Sequence, residues 1–259
     1  MIQDHNLNLL LPIAIIAMGK GYGQYCPIAR AAEVICERWT PLILRELMSG
    51  SCYFNEISYG VPLMSRALLI KRLKELETAG VITRQQKVTG QGSRYSLTPA
   101  GEALRPLIEQ MGVWATYWTH DRLSPNQLDD QLLMWAMRRG LNLAAMPPTK
   151  VVLQFDLHGL PEGKRKQRSY WIVAEQGRVD VCLKDPGFEV DVLIVADLGV
   201  FTHVILGYHD LDQALKQGTI AFAGADDYVR QVPTWLYLHG ERRHLSGLAP
   251  TVPGKMTKG

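Results

Sequence analysis

Hydrophobic residues recur at helical spacing up to Gly80 and in short strand-like runs just beyond it. The first half of this 259-residue chain must therefore join several helices to a hairpin. Pro27-Ile28-Ala29-Arg30-Ala31-Ala32-Glu33-Val34-Ile35 puts Ile28, Ala31, Ala32 and Ile35 on one helix face. Thr40-Pro41 opens a second helix, with proline where its missing N–H costs nothing. Leu42, Leu44 and Leu47 give it an apolar side, and Gly50 ends it. Phe54-Asn55-Glu56-Ile57 is a short third helix. Ser65 has the chemistry of an N-cap for a fourth, on which Leu69, Leu73 and Leu76 recur at i, i+4 and i+7 before Gly80. Val81–Arg84 and Arg94–Thr98 then read as strands around Gly90-Gln91-Gly92, which supplies a hairpin tip. From Thr98-Pro99 the spacing predicts one further helix running to about His120, carrying Leu104, Leu107, Ile108, Met111 and Trp114.

Charge is concentrated in the same region. Pro62 to Thr98 holds seven basic residues, Arg66, Lys71, Arg72, Lys74, Arg84, Lys87 and Arg94, against two acidic ones, Glu75 and Glu77. The whole chain is only +3, and from Asp121 onward 16 basic residues balance 16 acidic ones. A neutral half joined to a half with one basic stretch predicts two domains, with any polyanion bound by the first. On the fourth helix the side opposite the leucines is Arg66, Ala67, Ile70, Lys71 and Lys74. Such a surface suits a major groove, where arginine forks onto guanine, lysine meets phosphate and small or apolar groups meet thymine methyls. The plain alternative is a solvated amphipathic helix. Ser65 at the helix start, and Lys87 and Arg94 on the hairpin, complete the candidate DNA contacts.

Residues 26–118 resemble the HxlR-type winged-helix transcriptional regulators, a prokaryotic branch related to the MarR regulators. The resemblance is carried by Cys26-Pro27-Ile28, Arg38-Trp39-Thr40, Leu42-Ile43-Leu44-Arg45-Glu46-Leu47 and Phe54-Asn55-Glu56-Ile57. It continues through Arg72-Leu73-Lys74-Glu75-Leu76-Glu77, Ala79-Gly80, Tyr95-Ser96-Leu97-Thr98 and Gly101. Arg66 and Ala67 stand where that family often has a proline then a basic residue, and Ile70 where a small polar residue is common. The resemblance implies a homodimer on an inverted DNA repeat, built by the first helix and the long helix Ala100–His120 through Met111, Val113, Trp114, Tyr117 and Trp118. It also singles out Cys26, since many members use a cysteine here for thiol or electrophile sensing. Unpaired N–H groups at a helix start favour a thiolate, and the alternative is a small buried apolar residue.

The second half alternates strands and helices. Gln127–Arg139 reads as a helix. Val151–Leu157, Ser169–Glu175, Val179–Leu183, Val190–Ala196 and Thr219–Gly224 read as strands. Asp197 and Asp210 cap helices, and Asp226 opens a last helix to about His239. Gly177, Asp191-Val192-Leu193-Ile194-Val195 and the run from Gly207 to Gly218-Thr219-Ile220-Ala221-Phe222-Ala223-Gly224 resemble the sterol-carrier-protein fold. That resemblance implies a five-stranded sheet packed with helices around an apolar cavity, and hence a hydrophobic small-molecule effector. Phe155, Trp171, Val173, Leu193, Phe201 and Phe222 are the candidate lining residues, with core packing as the alternative for each. Residues 121–127 join this part directly to the end of the predicted dimer helix.

The expected class is α+β: a lead-in over 1–25, a winged helix over 26–120, the sterol-carrier-like part over 128–239 and a loose tail over 240–259. At 47% hydrophobic and 20% charged residues, composition excludes a disordered chain, a collagen-like fibre and a coiled-coil rod. The apolar run Leu9–Met18 is too short to span a bilayer, so no membrane partner is expected. Four scattered cysteines form no C-x-x-C pair, which predicts a reducing cytoplasm. No hydrolase, metallopeptidase or phosphate-loop motif occurs. His203/His209 and His239/His244 lack the cysteine pairs of a zinc finger. No enzyme, metal or cofactor is expected. The basic run 164–168 reads as a solvated hairpin loop, with contact to DNA flanks or an anionic headgroup as its alternative. The rival to a DNA-binding regulator is a lipid-binding or dimerising protein whose helical half meets protein; an enzyme grafted on the second half is a third option.

Overall fold

The computed structural model describes residues 21–86, 92–118, 127–159 and 169–236, with the side chains of Thr116 and Tyr117 left aside. The chain divides into two compact units, Met1–Glu109 and Gln110–Gly259. The cut falls inside a helix that the sequence reading assigns wholly to the first domain. The segments 1–20 and 237–259 lie outside the described residues.

In the first unit, α1 (Pro27–Ile35), α2 (Thr40–Met48), α3 (Phe54–Gly60) and α4 (Arg66–Thr78) precede a hairpin of β1 (Ile82–Gln86) and β2 (Ser93–Leu97). The signals that set α4 are local. The Ser65 hydroxyl accepts the Leu68 N–H, and Gly80 takes a positive φ of 70° past the helix end. Leu69, Leu73 and Leu76 are each 1% exposed and pack with Ile43, Leu44, Ile57, Ile82 and Tyr95 into the core of the unit. Residues 52 and 53 also pair with β2: the Tyr95 N–H donates to the Cys52 carbonyl at 2.8 Å and Tyr53 bridges Arg94. The hairpin is thereby tied to the start of α3.

The single long helix expected after Thr98 is two. Thr98 caps α5 (Pro99–Glu102), and α6 runs over Arg105–Trp118. Pro106 accounts for the break, because it lacks an N–H for the preceding turn and its ring crowds that turn's carbonyl. At the start of the next helix the same residue is harmless.

In the second unit, α7 (Asp130–Gly140) precedes a meander of β3 (Val151–His158), β4 (Ser169–Glu175) and β5 (Arg178–Cys182). Then come β6 (Val192–Asp197), α8 (Leu198–Ile205), α9 (Leu211–Lys216), β7 (Ile220–Gly224) and α10 (Asp226–Trp235). The sheet order is β5-β4-β3-β6-β7, with β3 and β6 parallel and the other neighbours antiparallel. This is the five-stranded α+β architecture expected. Asp129, Asp197 and Asp210 cap α7, α8 and α9 by accepting N–H groups three residues on. α10 stops at Trp235, short of His239; it already contains Pro233, and Leu236 turns into a bridge with Leu141. The strands alternate faces. Leu153, Phe155, Tyr170, Ile172, Val192, Ile194 and Ile220 join Met134, Phe201, Val204, Val232 and Trp235 of the helices in one core.

Candidate nucleic-acid interface

With its leucines buried, α4 presents the rest of its surface outward. Ala67, Ile70, Lys71 and Lys74 stand at i, i+3, i+4 and i+7, one exposed stripe bordered by Arg66. Lys71 approaches Glu75 at 3.8 Å but keeps its side chain two-thirds exposed. Arg72 differs from the other basic residues of the stretch. It turns away from this stripe, pairs with Glu37 and, at 2.6 Å, with Glu75, and its side chain is only 13% exposed. It ties α4 to the turn after α1 rather than offering a cation to solvent.

Arg66 folds back over α3. Its guanidinium sits 4.8 Å from the centre of the Phe54 ring and Nη2 donates to Asn55 Oδ1 at 3.4 Å. The Phe54-Asn55 pair thus has a role that sequence spacing did not signal, since 11 residues separate Asn55 from Arg66. The fully buried carboxylate of Glu46 accepts from Arg45 at 2.8 Å and from Ser51 at 3.3 Å, while Arg45 also reaches the Gly60 carbonyl at 2.9 Å. A second carboxylate, Glu56, accepts the Cys52 and Tyr53 N–H groups at 2.8 and 3.1 Å. These networks tie α2 to the end of α3, and the start of α3 to residues 52 and 53, which pair with β2.

On the hairpin, Arg94 is exposed on β2 opposite Gln85, and Arg84 Nε donates to Ser93 Oγ at 2.8 Å. Lys87 lies outside the described residues. Cys26 is partly buried at the N-cap position of α1 and makes no side-chain capping bond; Cys36, at the other end, is exposed. None of the α1 residues is buried, and Ile28 is 79% exposed. On α6 the apolar residues Leu107, Met111, Trp114 and Trp118 are exposed, the two tryptophans at 60% each. Val113, on the same helix, is buried at 2% exposure and so belongs to the packing of the chain itself. The Tyr117 side chain lies outside the described residues.

The six candidate lining residues of the second unit do not share one surface. Phe155, Phe201 and Phe222 belong to the covered side of the sheet, where the Phe155 and Phe201 rings lie 6.0 Å apart, both fully buried. Trp171, Val173 and Leu193 have the opposite parity on their strands and lie on the other side. A cavity of about 280 Å³ is lined by Leu143, Met146, Pro147, Pro148 and residues 174–177, with none of the six among them. The buried Tyr170 hydroxyl donates to Asp130; burial above all, then that bond and the nearby negative charge, push its ionisation far above the ordinary phenol range. Burial likewise raises the Cys182 thiol, with a smaller push from Asp180. Among the described residues no group of three or more His, Cys, Asp or Glu is placed to hold a metal ion, and no helix is long and apolar enough to cross a membrane. The basic run 164–168 lies outside the described residues.

Comparison with known proteins bears on the first part of the chain, through α6. Residues 34–122 match the HxlR-like helix-turn-helix family. The uncharacterized HTH-type transcriptional regulator YvaP of Bacillus subtilis (strain 168) is 38% identical over 108 residues, 41% of this chain and 96% of that protein. The HTH-type transcriptional regulator YodB of the same organism is 37% identical over 92 residues, 35% of this chain and 82% of its own length. The solved reduced form of B. subtilis YodB, 33% identical, covers 38% of this chain and 97% of the YodB chain with a TM-score of 0.33. The family match and 38% identity over 96% of the YvaP chain agree with the motifs and the order of helices and hairpin: the chain belongs to the HxlR-like helix-turn-helix family.

Proposed function

We propose that the protein is a sequence-specific DNA-binding transcriptional regulator that acts as a homodimer on an inverted repeat. The observation that carries this reading is the outward stripe Ala67, Ile70, Lys71 and Lys74 on a helix whose other side is buried, with Arg66 beside it. Family membership and the names of the relatives support it. Net positive charge at this helix and hairpin draws the phosphate backbone, and the helix offers side chains to base edges. Exposed Leu107, Met111, Trp114 and Trp118 on α6, together with the 79%-exposed Ile28 on an α1 that has no fully buried residue, support a two-fold interface built from these helices. Two copies then read half-sites about one helical turn, roughly 10 bp, apart. Titrating the full chain into duplexes from its own upstream region at low salt tests this; a purified dimer that shifts none of them removes the reading.

The second unit then serves as the input domain, taking a hydrophobic small molecule whose binding changes DNA affinity. Its support is the five-stranded sheet with helices over one side, in the part of the chain that begins with α7 after α6. Mass spectrometry of gently extracted protein tests it, with a co-purifying lipid as the expected result.

A further inference from the structure

Resting on the DNA-reading proposal, the geometry points to Ile70 as the residue that selects thymine in each half-site, by packing on the 5-methyl group in the major groove. Ile70 is 58% exposed in the middle of α4. It does no packing for the fold, since Leu69, Leu73 and Leu76 fill the buried side of the same helix at 1% exposure each. An isoleucine left in water on a helix costs apolar exposure, and here it is surrounded by cations: Lys71 beside it, Lys74 one turn on and Arg66 one turn before. A protein partner would have to bury those charges along with the isoleucine. A polyanion neutralises them without desolvating an unpaired cation, so charge complementarity selects DNA as the occupant of this stripe.

Within a duplex major groove, the apolar group that a branched aliphatic side chain can meet is the thymine methyl. Cytosine has only a hydrogen where thymine carries its methyl, adenine and guanine offer chiefly hydrogen-bonding groups there, and Ile70 has no atom to pair with those. Ala67, one turn earlier on the same stripe, has no bulk to keep the helix from the groove floor. Arg66 is four residues away along the helix, on the order of 6 Å, or about two base-pair steps. Its guanidinium is already held by Phe54 and Asn55, which restricts where it can reach. The selected half-site should therefore carry one thymine at a fixed position, within a few base pairs of whatever Arg66 meets.

The test selects binding sites from a library of random duplexes with the full chain, then remakes the recovered duplex with uracil in place of each thymine in turn. That exchange removes one methyl group and alters no hydrogen bond. Uracil at one position per half-site should weaken binding about three- to fivefold, the size expected for one buried methyl. Ile70→Ala should bind the thymine and uracil duplexes equally while keeping the wild-type salt slope and thermal midpoint. Lys74→Ala should keep the thymine preference and flatten the salt slope. If wild-type protein binds thymine and uracil duplexes alike, or Ile70→Ala still distinguishes them, Ile70 is not the reader although DNA binding stands. If the library yields no enriched sequence at all, the DNA-reading proposal falls and this inference with it.

Discussion

Glu46 and Tyr170 are buried residues whose polar groups have defined partners, one in each unit. The Glu46 carboxylate is fully buried and is held by Arg45 and Ser51. Arg45 keeps about a third of its side chain in solvent, so the cost of breaking the pair is less than for two buried charges. Glu46→Ala should lower the stability of the first unit by about 2 kcal/mol, measured by denaturant unfolding. DNA affinity should fall with it, because Arg45 of the same network holds the end of α3, the helix on which Arg66 is seated. The Tyr170 phenol titrates far above its ordinary value of 10.0. The native state therefore holds this proton more tightly than the unfolded chain does. Its contribution is complete below about pH 10 and is lost as pH rises beyond it. Thermal melts of the protein should show a midpoint falling above about pH 10. Tyr170→Phe should melt lower at neutral pH, because Asp130 loses its donor, and should show a shallower alkaline decline.

At the scale of elements, local signals were legible and distant ones were not. Ser65 and Gly80 bound α4 because a cap and a positive-φ glycine act within a turn of the residue that carries them. Asp197 and Asp210 were readable for the same reason. Pro106 was equally visible, and a reading of apolar spacing alone passed over it, merging α5 with α6. Parity along the strands separates Trp171 and Val173 from Tyr170 and Ile172, so the division of the six candidate lining residues was present in the sequence too. Aromatic and aliphatic character alone does not distinguish the two faces. The pairing of Tyr95 with Cys52 and the seat of Arg66 on Phe54 depend on chain segments brought together by folding, and no periodicity announces them. The role assigned to α6 makes a specific prediction. Trp114→Glu should convert a dimer to monomer or insoluble protein on sizing, and a soluble monomer should bind a two-half-site duplex at least about tenfold more weakly. A soluble variant that still runs as a dimer with unchanged affinity would move the interface elsewhere.

For the whole molecule, charge is unevenly distributed along the chain. The basic stretch belongs to the first unit, while the chain from Asp121 onward is electrically neutral and contributes little to phosphate attraction. A ligand that favours one dimer geometry tenfold, about 1.4 kcal/mol, is enough to switch occupancy of an operator held near its dissociation constant. The central claim, that α4 and the hairpin read DNA, is tested most directly by the affinity of the full chain for a selected inverted repeat and for a scrambled duplex, each measured across a range of salt concentrations. The account predicts a preference of about a thousandfold or more for the inverted repeat and a steep fall of affinity with salt. Lys71→Ala and Lys74→Ala should each reduce that slope by about one for every phosphate the missing lysine would have neutralised. Equal binding to both duplexes, or slopes unchanged in both lysine variants, would contradict it.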